Sequence, residues 1–264
     1  MDMANRDAAT HEDDAPLSSR VAIVTGASSG LGRASAIALA QAGANVALLA
    51  RSEGALRDVA AEIVATSGQR ALPLPLDLAG GMELLTTVDT VAAELGRVDV
   101  LINAAGTDEP GPAEELTLAD WDRVLAVNLR APFALAKAAF PFMRRAGGGT
   151  IVNVSSVAGK WGWADASVYC ASKFGLTGLT QALAAEGKPH GIRVSVLYPG
   201  GMATQWGTAW TPEDHPTEHR GPSPETVALP PEDVAALIVW MVSAPPALVL
   251  NEAIVSPLDE GGWP

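Results

Sequence analysis

From Val21 onward, short runs of Val, Ile, Leu and Ala alternate with longer segments whose apolar residues recur at helical spacing. VAIVTG (21–26) reads as a strand and LGRASAIALAQAG (31–43) as a helix closed by Gly43. NVALLA (45–50) and EGALRDVAAEIVATSG (53–68) repeat the pair, and the second helix again ends at glycine. RALPLPL (70–76), VDVLINAAG (98–106), GTIVNVSS (149–156) and IRVSVLYP (192–199) are further strands, with helices at about 81–95, 118–145 and 168–187 between them. Strands that are apolar on both sides need cover on both sides, which crossover helices provide. Right-handed crossovers then leave an α/β architecture: a doubly wound sheet, mostly parallel, of about seven strands with helices on both faces. No fixed-period repeat or linker interrupts the series, so residues 19–264 read as a single domain.

Three segments stand outside the rhythm. Residues 1–18 are polar and acidic and read as a flexible tail, neither a secretory signal nor a transit peptide. Residues 201–230 (GMATQWGTAWTPEDHPTEHRGPSPETVALP) are too long for a structureless connection in a compact domain, and so read as a lid. VLNEAIVSPLDEGGWP supplies a last short strand and a loop tail. No apolar run approaches the roughly 20 residues of a membrane span. The net charge of −13 argues against nucleic-acid or anionic-membrane partners and obliges an anionic ligand to find local cations or backbone donors. A single cysteine, Cys170, excludes an internal disulfide and suits a reducing, cytoplasmic setting; its side chain reads as a small buried filler.

The turn after the first strand is T-G-A-S-S-G-L-G, Thr25 to Gly32. Gly26 permits a tight turn, Gly30 lets a ligand approach the backbone, and Gly32 lets helix and sheet close on one another. Ser28, Ser29 and Leu31 complete it. The free N–H groups at the helix start then face a pyrophosphate, which makes the sheet Rossmann-like and the ligand a dinucleotide. No Gly-Lys-Ser/Thr follows, which argues against a mononucleotide P-loop. The second strand ends A-R-S, where a carboxylate would select NAD. Arg51 stands there instead and offers a planar cation to a 2′-phosphate, so NADP(H) is favoured over NAD(H). An ordinary solvated arginine is the plainer reading of Arg51, as a surface helix position is of Arg33.

The chain has two tyrosines, and Tyr169 stands four residues before Lys173 in Y-C-A-S-K. Tyrosine is a poor base near neutrality, its free pKa being about 10. A cation one helical turn away is expected to favour phenolate and lower that value. Together with TGASSGLG (25–32), D-L (77–78), N-A-A-G (103–106), Asn128 in AVNL, Ser156 and P-G-G-M-A-T (199–204), this stretch resembles the short-chain dehydrogenase/reductases of the roughly 250-residue type, over residues 19–245. The resemblance implies an oxidoreductase that moves a hydride between nicotinamide and a ketone or secondary alcohol. Tyr169 would be the general acid or base, Ser156 the second hydroxyl on the reacting oxygen, and Lys173 the ligand of the nicotinamide ribose. Asn128 would hold a water in a proton relay; its plainer role is a local hydrogen bond that bends its helix. By the same likeness Asp77 and the Leu78 backbone would touch adenine, unless Asp77 is only a strand-end cap. Asn103, Ala104, Ala105 and Gly106 would line the adenosine ribose and steady the sheet. Pro199, Gly200, Met202 and Thr204 would hold the carboxamide. Family habit also implies a homo-oligomer, a tetramer or dimer, built on the helices at 118–145 and 168–187.

Four of the seven tryptophans fall in two loops, Trp161 and Trp163 after the serine, Trp206 and Trp210 in the lid. Aromatic walls suggest a bulky or aromatic small-molecule carbonyl or alcohol, although the rings serve equally to pack the lid. His215 and His219 lack a third ligand, and Pro216 interrupts any helix between them, so no metal is expected. The D-E-G-G end departs from the Asp-Gly-Gly turn of many relatives. Two other readings share motifs with this one. A sugar-nucleotide epimerase or dehydratase has the same Tyr-x-x-x-Lys pair but usually a different glycine spacing and a longer C-terminal domain. A catalytically silent NADP-binding regulator would not need Asn128, Ser156, Tyr169 and Lys173 together.

Overall fold

Seven parallel strands in the order β3-β2-β1-β4-β5-β6-β7 form the centre of the computed structural model, which describes residues 15–204 and 228–259. They are β1 (Val21–Thr25), β2 (Asn45–Ala50), β3 (Ala71–Pro75), β4 (Val100–Asn103), β5 (Gly149–Val154), β6 (Ile192–Pro199) and β7 (Glu252–Val255). The helices are α1 (Gly30–Gln41), α2 (Glu53–Ser67), α3 (Glu83–Leu95), α4 (Leu118–Leu125), α5 (Ala131–Arg145), α6 (Ser167–Gly187) and α7 (Pro231–Ser243). Leu39, Leu56, Ile63 and Ile238 of α1, α2 and α7 pack on one face of the sheet. Leu84, Val88, Leu135, Met143 and Leu183 of α3, α5 and α6 pack on the other. Burial on both sides is what the unbroken Val/Ile/Leu runs demand.

Four departures from the sequence reading have local causes. The expected helix at 118–145 is broken by a π-helical turn, Ala126–Arg130, between α4 and α5. β4 stops at Asn103 because the Thr25 hydroxyl takes the N–H groups of Ala104 (3.0 Å) and Ala105 (3.1 Å) away from the ladder. α7 adds a helix to those expected, and Pro231 at its first turn with Glu232 and Asp233 beside it is a regular helix start. Residues 15–18, assigned to the tail, pack instead on the end of α1: Leu17 is buried and its N–H donates to Ala42 O (2.8 Å). The segment expected to form a lid, 201–230, is described only at its two ends, where Met202 bridges Leu229 and the Leu229 N–H donates to Gly201 O (2.9 Å). Trp206, Trp210, His215 and His219 lie outside the described residues.

Candidate active site

Strand order reverses between β1 and β4, and the loops leaving their carboxyl ends diverge there, the place where open parallel sheets bind ligands. The turn after β1 has Gly26 at φ 67° and Gly30 at φ 50°, conformations that L side chains rarely adopt. A Cβ on Gly32 would stand 2.3 Å from Gly26 O, so α1 and the turn touch backbone to backbone. A Cβ on Gly30 would meet Thr204 Cγ2 at 3.3 Å, which places the loop after β6 across from the glycines. A Cβ on Gly26 would meet Ala105 Cα at 3.0 Å, which places the loop after β4 on the other side. Ser29 stands at the N-cap of α1 without capping it, and no acidic residue enters the first turn. The first-turn N–H groups around Gly30, Leu31 and Gly32 lie between the three loops and could take an anion such as a dinucleotide phosphate.

The rest of the expected cofactor surface divides. Arg51 is exposed at the end of β2 and makes no ion pair among the described residues, whereas the Arg33 guanidinium is held by Glu62. Asp77 Oδ1 accepts the Ala79 N–H (3.0 Å), the plainer capping role, and Leu78 is buried in the core. Asn103 faces into the sheet: its amide donates to Asn153 Oδ1 (2.8 Å), and Asn153 donates to Thr180 Oγ1 (2.9 Å). Of its two expected tasks, the hydrogen bonds show the sheet-steadying one. Gly200 N–H donates to Val255 O (2.7 Å), which joins the end of β6 to β7.

Ser156 follows β5 and caps a short 3₁₀ turn, its Oγ accepting the Ala158 N–H (3.1 Å). The Ser156 hydroxyl also acts on the Tyr169 phenol, favouring its ionised form. Tyr169 and Lys173 lie one turn apart on α6, both buried, with Lys173 Nζ 5.5 Å from the Tyr169 ring centroid and donating to Val154 O (2.9 Å). Asn128, in the π turn, grips Thr107 on both sides, accepting its N–H (2.8 Å) and donating to its carbonyl (2.8 Å). The same amide donates to Ser172 Oγ (3.0 Å), which in turn donates to Tyr169 O (2.7 Å). The π turn thus does more than bend the helix. It ties the loop after β4 to the helix that carries Tyr169.

The family model described as short chain dehydrogenase matches residues 20–215. The chain belongs to the short-chain dehydrogenases. Over 252 residues it is 37% identical to D-threitol dehydrogenase of Mycolicibacterium smegmatis, covering 95% of each chain. Over 245 residues it is 38% identical to cis-4-hydroxycyclohexanecarboxylate dehydrogenase of Sinomonas cyclohexanicum, covering 92% of this chain and 96% of that one. A solved metagenomic short-chain oxidoreductase in complex with NADP superposes with a TM-score of 0.78 at 37% identity, over 92% of this chain and 99% of that one. The molecule is thus an oxidoreductase of the short-chain dehydrogenase family with a nicotinamide-type cofactor site. Among the described residues, no helix is long and apolar enough to cross a membrane, and no three His, Cys, Asp or Glu side chains group to hold a metal.

Electrostatics in this short-chain dehydrogenase run against one expectation. Burial pushes the Tyr169 phenol well above its ordinary value of 10; the Ser156 hydroxyl pulls it down, and the Asp108 and Cys170 charges push it further up. Lys173 is not what lowers it. Burial brings Lys173 itself down to about 8, against the pull of Asp108. Both groups have lost water, and that loss penalises the charged form of each more than their mutual attraction returns. Asp108, pushed up to about 6 mainly by burial, escaped the sequence reading even though it directly follows N-A-A-G-T. Thr25 and Ser172 were inside quoted motifs, but only the fold shows what their hydroxyls hold.

Proposed function

We propose that this short-chain dehydrogenase is an NADP(H)-dependent carbonyl reductase or alcohol dehydrogenase for a ketone or secondary alcohol that carries a bulky or aromatic group. The observation that carries the reading is the buried Tyr169–Lys173 pair one turn apart on α6, tied through Ser172 and Asn128 to the loop after β4 that borders the glycine turn. When bound, the nicotinamide supplies or accepts the hydride. Tyr169, neutral at pH 7, hands its proton to the oxygen that gains charge as the carbonyl carbon is reduced. Ser156 donates to the same oxygen and orients it. Lys173 would hold the nicotinamide ribose, as the family pattern implies, and restores the phenol's proton. Asn128 fixes the loop after β4 against α6 and, as the family pattern implies, anchors the water that connects Lys173 to solvent.

Gly26, Ser28, Ser29, Gly30, Leu31 and Gly32 would hold the pyrophosphate. Ala104, Ala105 and Gly106 would line the adenosine half, while Asp77 keeps to its cap and Asn103 to the sheet; Pro199, Gly200, Met202 and Thr204 would hold the carboxamide. Arg51, without an ion pair among the described residues, and the committed Arg33 support a 2′-phosphate contact at Arg51, as does the NADP-bound structural neighbour. Exposed Trp161 and Trp163 beyond Ser156 support an apolar flank on the substrate. Relatives named for D-threitol and for a hydroxycyclohexanecarboxylate fit an alcohol substrate.

The reading includes a cytoplasmic homo-oligomer. A groove of about 710 Å³ lined by Leu125, Leu129, Phe133 and Leu179 supports a contact through α5 and α6. Tyr169→Phe tests the assignment on a panel of ketones with NADPH. Turnover falls by at least about 10²-fold while NADPH binding stays within about twofold. A variant that turns over normally would refute it.

A further inference from the structure

We propose that Asp108 reads the substrate: its carboxylate accepts a hydrogen bond from a hydroxyl on the carbon next to the reacting carbonyl, so that the preferred substrates are α-hydroxy ketones and the corresponding vicinal diols. The inference rests on the proposed oxidoreductase activity and narrows its substrate class.

The position of Asp108 is unusually well fixed. Thr107, one residue before it, has both backbone polar groups held by Asn128 (2.8 Å each). Three residues further on, the Gly111 N–H donates to Asp165 O (2.9 Å), just before α6. Arg123, on α4, would be the natural partner for the carboxylate, but it is spent elsewhere. Its guanidinium donates to Thr107 Oγ1 (2.9 Å), to the backbone oxygen of Asp108 (3.3 Å) and to Glu109 Oε2 (2.6 Å). Glu109 is thereby neutralised and Asp108 is not. Among the described residues the Asp108 carboxyl accepts one hydrogen bond, from the Glu109 N–H (2.7 Å). A carboxylate offers about four acceptor positions.

The charge of Asp108 reaches the groups of the reaction. From α6, Tyr169, Cys170 and Lys173 all feel its charge, and from its own side Glu109 and Arg123 do. Only Lys173 and Arg123 are cations; Lys173 donates to Val154 O and Arg123 to the acceptors already named. A half-buried carboxylate short of donors, at electrostatic range of the phenol, is an acceptor waiting on a ligand's donor. A substrate whose reacting oxygen sits at Tyr169 and Ser156 brings its neighbouring carbon to this side. A hydroxyl there meets Asp108; a methyl group or hydrogen there leaves the carboxylate unpaired and is selected against.

The test uses the full chain with NADPH and the matched pair acetophenone and 2-hydroxyacetophenone. Wild type is expected to favour the hydroxy ketone by roughly 10- to 100-fold in kcat/KM, the worth of one hydrogen bond to a charged acceptor. Asp108→Asn keeps the shape and the bond from Glu109 N–H but removes the charge, and the ratio should fall towards one. Asp108→Ser serves as a second variant. In wild type the ratio should also shrink as pH drops below about 6, where the carboxylate takes up a proton; in Asp108→Asn it should not vary there. A ratio near one in wild type, or a ratio that Asp108→Asn leaves unchanged, overturns the proposal. The quenching of tryptophan fluorescence by the two ketones gives their affinities without turnover. If neither ketone is reduced by any form, the proposed activity on bulky or aromatic ketones fails; tighter binding of the hydroxy ketone that is lost in Asp108→Asn still supports Asp108 as its reader, and equal binding removes it.

Discussion

Gly32→Ala places one methyl group where the fold has no room for it. The new Cβ would stand 2.3 Å from Gly26 O, 2.6 Å from Gly26 C and 2.9 Å from Thr25 O. An ordinary carbon–oxygen contact is about 3.3 Å or more, so α1 and the turn must part by roughly 1 Å. All three clashing atoms are backbone, at the end of β1 and in the turn it feeds, and no rotamer change relieves them. Overpacking of this kind costs about 1–3 kcal/mol. At about 2–4 °C per kcal/mol for a chain near this size, the melting temperature should drop by roughly 2–12 °C. The same 1 Å separation moves the first-turn N–H groups away from the phosphates they would hold, and we expect NADPH binding to weaken by roughly 10²-fold. Gly54→Ala is the control. Gly54 also lies in a helix, but a Cβ there meets nothing within 4 Å. Losing glycine's freedom should stabilise by about 0.5–1 kcal/mol, with no effect on the cofactor. Thermal melts and NADPH fluorescence titration read both. A Gly32→Ala protein that melts and binds like wild type would show that the close contact at the glycine turn is not what the site depends on.

Arg51→Asp should lower the ratio of kcat/KM for NADPH over NADH by about tenfold or more, because a cation facing a 2′-phosphate becomes a carboxylate; an unchanged ratio would remove Arg51 from cofactor selection. Lys173→Met should abolish most turnover yet raise the melting temperature at pH 7, since the folded protein no longer buries an ammonium. Because the Lys173 value is lowered to about 8, the unfolded chain binds more protons between about pH 8 and its ordinary 10.5. Wild-type stability should therefore rise with pH across that window, and the variant should lose that part of the slope. Chemical denaturation at pH 7, 8, 9 and 10 tests the sign, and a parallel profile in the two proteins would refute the burial argument.

The architecture was open to reading because its signals are local and repeated. Apolar runs at β1, β2, β5 and β6 announce a sheet covered on both faces, and glycines punctuate the helices. The glycine turn and Y-C-A-S-K are compact in sequence, so their chemistry was visible before their geometry. What escaped depends on contacts between distant segments. Thr25 holds residues 104 and 105, Asn128 holds Thr107, and Arg123 chooses Glu109 over Asp108, separations of 14 to 80 residues that no periodicity records. The phenol's proton affinity escaped for a related reason. Spacing on a helix gives the distance to Lys173, but burial, which decides the balance, belongs to the whole fold. α7 has a sound helix start at Pro231, but it follows the least regular segment of the chain and, unlike α2, has no glycine to close it.

The five residues Ala126–Arg130 have one more consequence. A π turn carries one residue beyond what α-helical winding needs, and each residue of an α-helix advances about 100° around its axis. The surplus residue works as a phase shifter. Upstream of it, α4 can point Arg123 at the strip that bears Thr107 and Glu109; downstream, α5 can seat Leu135, Ala136 and Met143 against the sheet. A rod of uniform pitch would have to compromise between the two bearings. With the slip built in, core packing and substrate reading are tuned on separate dials, and sequence change in one need not detune the other.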